Sequence, residues 1–254
     1  MKTLFDSDIK KMRVNFVVAG AQKSGTTSLY HYLSQHPDIQ MSKIKEAHFF
    51  DDDDFFKSKP INYSAYHQYF LPAQNKKLLG EATPIYIYWT DCAKRMYEYN
   101  PDLKIILILR RPQDRAFSQW NMEVNRGSEK LGFFDAIQKE LKLTKEGLQD
   151  RIYSYLDRGL YTKQINRLYN FFPKNNVLTL KYDDLKTDYV SILSKISHFL
   201  SIDAFDPLTQ ESQLNRDVYT NSIDINAQTF LNDFYRQEIN ALEIVLGWDL
   251  SAWR

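Results

Sequence analysis

Apolar and polar positions alternate in blocks along this chain, and the blocks predict strands and helices in turn. Phe16 to Ala19 is an unbroken apolar run of strand length, with β-branched Val17 and Val18, as suits a strand buried on both faces. A Gly-bounded turn follows, and Thr26 to Leu33 has the pattern of a helix. Residues 36–48 predict a loop from His36-Pro37 into Lys45-Glu46-Ala47-His48-Phe49-Phe50. Residues 51–60, acidic and then basic, predict a surface loop. Tyr63 to Phe70 predicts a short helix stopped by Pro72, Lys77 to Glu81 a short strand, and Asp91 to Tyr99 a helix. Ile105 to Leu109 is the clearest second buried strand, and Gln113 to about Asn125 the helix after it. Leu141 to Gly159 is a polar, charged connection. Thr162 to Phe172 predicts a helix ended by Pro173, Val177 to Lys181 a strand, Asp188 to Leu200 a helix, and Phe230 to Leu246 a last helix before Trp248. Strands alternating with helices predict an α/β fold: an open parallel sheet of P-loop type, with helices on both faces.

Composition narrows this picture. A chain of 254 residues, 43% hydrophobic, buries a substantial core as one domain over 1–254, with the core at about 14–250. A net charge of +1 argues against general binding to nucleic acid or a membrane surface. The single Cys92 excludes an intrachain disulfide and a multi-cysteine metal site. No apolar stretch approaches the roughly 20 residues of a transmembrane segment. Met1 to Arg13 does not have the pattern of a signal peptide, so a cytoplasmic protein is expected. Oligomeric state is left open.

The turn after the first strand carries the most chemistry. Gly20 and Gly25 stand four residues apart and Thr26-Thr27 follow, the frame of a phosphate-binding loop. The glycines let a ligand approach the main chain, and the first amides of the next helix form an anion site. Ser24, Thr26, Thr27 and Ser28 add hydroxyl donors. In a nucleotide triphosphatase a Lys follows the second Gly; here Thr26 holds that place and the lysine stands inside the loop as Lys23.

The strand Ile105–Leu109 ends in Arg110-Arg111-Pro112, where a phosphate-hydrolysing P-loop protein is expected to carry an acidic group for Mg²⁺. Ligands of open parallel sheets bind outside the carboxyl ends of the strands, which puts Arg110 near the loop with Lys23. A guanidinium fork grips phosphate in two places, and Ser118, about two turns into the next helix, offers a hydroxyl. Arg111 alone reads as solvated. Glu46 and His48 share a face if their segment is extended, and a pair of that kind can act as a base and its helper. Phe49-Phe50 argues for burial on one side, which would raise the Glu46 pKa. Asp51–Asp54 lacks the spacing of a calcium loop and reads as a solvated face. Asp183-Asp184 suits a helix cap, and Cys92, His198, Trp248 and Trp253 read as packing residues.

Taken in order, these segments resemble the sulfotransferases that use 3′-phosphoadenosine-5′-phosphosulfate (PAPS), and within them the heparan sulfate sulfotransferase-like branch with its bacterial relatives. Gly20 to Leu29 resembles the 5′-phosphosulfate loop, Lys45 to Phe50 the catalytic-base segment, and Gly80 to Tyr86 the acceptor-cleft segment. Leu107 to Pro112, with Arg115, Ala116 and Ser118, resembles the 3′-phosphate motif. Arg158-Gly159-Leu160-Tyr161, Phe171-Phe172-Pro173, Tyr182 to Leu185 and Leu246-Gly247-Trp248 also fit. The resemblance implies that Lys23 contacts the leaving phosphate oxygen, with Ser24, Gly25, Thr26, Thr27 and Ser28 around the 5′-phosphate. It implies Arg110 and Ser118 at the 3′-phosphate, Glu46 as base and His48 assisting. The sulfuryl group passes in line to an acceptor hydroxyl on a sugar or glycolipid, the product is 3′-phosphoadenosine-5′-phosphate (PAP), and no metal takes part. Two departures stand out. Ala82 replaces a Lys of the heparan sulfate enzymes, and no C-terminal Lys-Gly nucleotide loop is evident, which leaves Arg216 as the nearest candidate. Two rival functions remain open from the loop itself: a P-loop nucleotide kinase or triphosphatase, and a non-catalytic nucleotide-binding module.

Overall fold

The computed structural model describes residues 12–72, 76–144, 149–206 and 222–254. Five strands form one sheet: β1 (Phe16–Gly20), β2 (Ile39–Met41), β3 (Leu78–Ala82), β4 (Lys104–Leu109) and β5 (Val177–Lys181). Their order is β2-β3-β1-β4-β5, and every neighbouring pair is parallel. Val17 lies between Glu81 and Ile105, and Val18 between Ala82 and Ile106. The helices are α1 (Thr26–Ser34), α2 (Ser64–His67), α3 (Cys92–Tyr99), α4 (Pro112–Asn125), α5 (Phe133–Thr144), α6 (Tyr161–Tyr169), α7 (Tyr182–Thr187), α8 (Tyr189–Leu200) and α9 (Ile225–Leu246).

The apolar runs explain the sheet. On one face Phe16, Val18, Ile106, Ile108 and Leu180 pack with Leu29 and Leu33 of α1 and with Ile192 and Ile196 of α8. The pleat turns Val17, Ala19, Ile105 and Leu107 to the other face, and they are buried too. Burial on both sides is what a parallel sheet requires, and it is why these strands read as continuous apolar runs. The chain steps from β1 to one side and returns through β3 to β4 on the other. The order therefore reverses between β1 and β4, and the segments leaving their carboxyl ends are the loop after Gly20 and Arg110-Arg111.

The chain divides into two compact units. One holds Met1–Ala21, Gly25–Leu109 and Arg167–Asn215, with the whole sheet; the other holds Gln22–Ser24, Arg110–Asn166 and Arg216–Arg254. Local differences from the sequence reading have physical causes. β2 lies inside the expected loop 36–48 and has only three residues, too few to show a period. The last turn of α5, Leu141 to Thr144, falls at the start of the expected polar connection. Asp183 and Asp184 form the first turn of α7 rather than a cap, and Asp188 caps α8 by accepting from the Ser191 amide at 3.0 Å. Asp224 caps α9, which starts it at Ile225. His198 is exposed, so it does not pack as expected, whereas Cys92 and Trp253 are buried. Among the described residues no helix is long and apolar enough to cross a membrane.

Candidate active site

The loop after β1 departs from ordinary backbone at two points. Lys23 has φ 66° and Gly25 φ 88°, both in the left-handed region. For Lys23 this costs about 1–2 kcal/mol that a glycine would not. Gly25 is required twice over, by its angle and by space: a Cβ there would stand 2.8 Å from the Tyr182 ring. Gly25 is also the residue before α1, and as a glycine it brings no side chain to cap that helix. The first-turn amides of Thr26, Thr27 and Ser28 thus meet the requirement for an anion site at a helix N-terminus. Gly20 to Ser28 holds Lys23, a buried Ser24, a buried Thr26 and further hydroxyls, and no carboxylate. That donor set fits a phosphosulfate group.

Arg110 leaves β4 half-buried, and its Nη1 donates to the Lys23 carbonyl at 3.3 Å. The Arg110 carbonyl accepts from the Tyr161 hydroxyl at 2.9 Å, and Ser24 lies beside that same hydroxyl. Lys23 and Arg110 are therefore joined through the main chain of the loop. Ser118 is buried on α4. Arg111, expected to be solvated, is instead half-buried. Its Nε donates to the Trp253 carbonyl at 3.1 Å and its Nη2 to Asn232 Oδ1 at 3.3 Å. Arg216 lies outside the described residues.

Glu46 and His48 come together, but not through an extended segment. Both have left-handed backbone, at φ 65° and 50°, around the buried Ala47. Glu46 Oε2 lies 3.5 Å from His48 Nε2, and Oε1 accepts from Lys45 Nζ at 2.5 Å. The other face of the imidazole, Nδ1, meets Asp51 at 3.0 Å. Asp51 is buried, which corrects its reading as part of a solvated acidic run; its exposed neighbours Asp53 and Asp54 pair with Arg95 and Lys57. Main-chain bonds hold the segment. The Glu46 amide donates to the Ala82 carbonyl at 2.9 Å and the Phe49 amide to the Tyr86 hydroxyl at 3.0 Å. Tyr86 hydrogen-bonds in turn to Glu81, a buried carboxylate that also accepts from Tyr66 and Thr83 hydroxyls, each at 2.7 Å.

The charges follow from this geometry. Burial pushes the Glu46 carboxyl up, as expected, but the hydrogen bond from His48 and the charge and hydrogen bond of Lys45 outweigh it and bring it down to about 2. This corrects the expected rise. Hydrogen bonds to Asp51 and then Glu46 raise His48 to about 9, against the opposing effect of burial, so an imidazolium stands between two carboxylates at neutral pH. Burial, with a smaller contribution from the Asp51 charge, lifts Glu81 to about 7 in spite of its three hydroxyl donors. Sequence reasoning missed Asp51 and Tyr161. The resemblance covered the segment of Tyr161 without assigning it a role.

A model of the sulfotransferase domain matches residues 14–220. The chain belongs to the sulfotransferase family. The membrane-associated sulfotransferase kil1 of Dictyostelium discoideum is 23% identical to it, over 93% of this sulfotransferase and 66% of its own length. The human bifunctional heparan sulfate N-deacetylase/N-sulfotransferase 3 is 28% identical, over 94% of this chain and 31% of that protein. The chain thus spans less than two thirds of the length of these curated relatives. Among solved structures, a sulfotransferase from Alicyclobacillus acidocaldarius superposes with a TM-score of 0.83 at 31% identity, covering 96% of this chain and 99% of that one. Mouse sulfotransferase SULT7A1, solved in complex with PAP, shares the fold at a TM-score of 0.54 and 18% identity, over 93% of this chain and 90% of its own.

Proposed function

We propose that this chain, as a single sulfotransferase domain, transfers the sulfuryl group of PAPS to a hydroxyl of a carbohydrate or glycolipid. The observation that carries the reading is the loop Gly20–Ser28. Its lysine is inside the loop in a left-handed conformation, a glycine rather than a capping side chain precedes its helix, and Arg110 is bonded to the Lys23 carbonyl. In the reaction the sulfur–oxygen bond to the 5′-phosphate breaks and one to the acceptor oxygen forms. Lys23 stabilises charge developing on the leaving phosphate oxygen, with Ser24, Gly25, Thr26, Thr27 and Ser28 around that phosphate. Arg110 and Ser118 hold the 3′-phosphate. Glu46 receives the hydroxyl proton, and imidazolium His48 keeps the carboxylate ionised and oriented until the proton arrives. Alignment and charge stabilisation by these residues take the place of a metal.

The glycan class of acceptor is supported by relatives named for heparan sulfate. Ala82, wholly buried, argues against a requirement for a strongly anionic polymer, because it supplies no cation where those enzymes carry one. The test is transfer of ³⁵S-labelled sulfate from PAPS to a panel of neutral and acidic glycans and glycolipids. Label appearing on a hydroxyl of at least one panel member is expected; none on any of them, with PAPS intact, sinks the reading.

A further inference from the structure

Arg158 is almost wholly buried, and a guanidinium in that position is costly unless its donors are used. Its Nη2 donates to the Arg151 carbonyl at 2.6 Å and, more weakly, to the Asp150 carbonyl at 3.3 Å. Those bonds tie it to the segment just before it in the chain. Its Nη1 instead reaches Gln22 Oε1, the side chain immediately before Lys23. The turn that presents Arg158 is stiff. Both Glu140 oxygens accept main-chain amides, of Leu156 at 2.6 Å and Asp157 at 2.9 Å. Tyr235 donates to the Leu156 carbonyl at 2.8 Å, and its hydroxyl lies 2.5 Å from where a Cβ of residue 159 would stand, so only Gly159 fits. Three residues after Arg158, Tyr161 holds the Arg110 carbonyl, and Arg110 holds the Lys23 carbonyl. One turn thus reaches two successive residues of the phosphate loop, directly at Gln22 and through Arg110 at Lys23.

We propose that Arg158 is a positioning residue for the nucleotide's 5′ group: through Gln22 it fixes the loop conformation that presents Lys23. The proposal rests on the PAPS reading above. Calorimetry on the full chain tests it with two probes, PAP and adenosine 3′-phosphate, which lacks the 5′ group. Gln22→Met keeps length and volume but offers no acceptor oxygen. It is expected to weaken PAP about tenfold, the scale of one charge-assisted hydrogen bond, and to leave adenosine 3′-phosphate unchanged. Arg158→Met should do the same, and the double variant should lose no more than either single one. If Arg158→Met fails to fold, Gln22→Met alone carries the test. Unchanged PAP affinity in Gln22→Met overturns the proposal, and so does an equal loss for both probes, which would mark a merely structural role. Absence of PAP binding by the unaltered chain overturns the PAPS reading itself, and the proposal with it.

Discussion

At the scale of single residues, Glu46 sits in a tension that defines its chemistry. A carboxylate held at about 2 is a weak base in the resting state, since Lys45 and His48 both favour its charge. In the proposed reaction a proton reaches it only as the acceptor oxygen bonds to sulfur and releases its hydrogen, so the group acts late and locally. Glu46→Gln is expected to lower turnover by about 10²–10⁴-fold, as for loss of a positioned base, with PAP affinity unchanged by calorimetry. Full activity in that variant would remove Glu46 from the mechanism. His48 allows a separate test by pH. Its folded value, about 9, lies above the ordinary value of 6.5, so its contribution to stability is complete below about 6.5 and lost as pH rises through 9. Glu46 has the opposite sign: its contribution is present above 4.5 and lost as pH falls towards 2. Thermal unfolding between pH 6 and 10 should show the unaltered protein losing stability more steeply than His48→Gln. Parallel curves would mean that the imidazolium pairing does not form. The Glu-x-His pair was legible in the sequence because two residue types at one spacing suggest it. The buried Asp51 was not, since adjacent aspartates look alike until the chain folds one of them inward.

At the scale of elements, legibility followed periodicity. β1 and β4 were plain because they are buried on both faces and lack polar interruptions. α5 was not legible, and its buried Glu140 serves two main-chain amides rather than an apolar stripe. Boundaries moved where a cap decided them. Asp224 accepts from the Asn226 and Ala227 amides, both at 3.0 Å, and thereby starts α9 five residues before the expected Phe230. Asp224→Ala should cost about 1 kcal/mol in urea unfolding, the usual scale for an N-cap; no measurable loss would show that the cap does not set the helix start. Close approach sets a stricter limit in the sheet. A Cβ on Gly80 would stand 2.1 Å from the Phe16 ring across the β1–β3 pair. Gly80→Ala is therefore expected to cost about 1–3 kcal/mol by overpacking, read from the shift in the urea midpoint, and the same midpoint would mean that Phe16 moves aside freely.

At the scale of the whole molecule, the question is which nucleotide the fold selects, because a P-loop frame by itself suits several. Mg²⁺-dependent phosphoryl transfer needs a carboxylate or hydroxyl set to hold the ion and a lysine directed at the β- and γ-phosphates. This chain places Thr26 where that lysine would stand, and it ends β4 in Arg110-Arg111 rather than in an acid. Arg110 bonds the loop at Lys23, and Arg111 is engaged with Asn232 and the Trp253 carbonyl, so the two adjacent arginines do different work. A bisphosphorylated nucleotide has two separated anionic groups for Lys23 and Arg110, whereas a triphosphate concentrates its charge at one end and relies on a cation to offset it. PAP is therefore expected to bind equally well with Mg²⁺ and with a chelator, and more tightly than ATP–Mg²⁺, when the three titrations are compared by calorimetry. Lys23→Ala and Arg110→Ala should each weaken PAP by about tenfold or more, since each removes a charge from an anion site. Tight ATP–Mg²⁺ binding with no response to PAP would instead favour the kinase-like rival, and would turn the displaced lysine from the signature of sulfuryl transfer into a local variation of the loop.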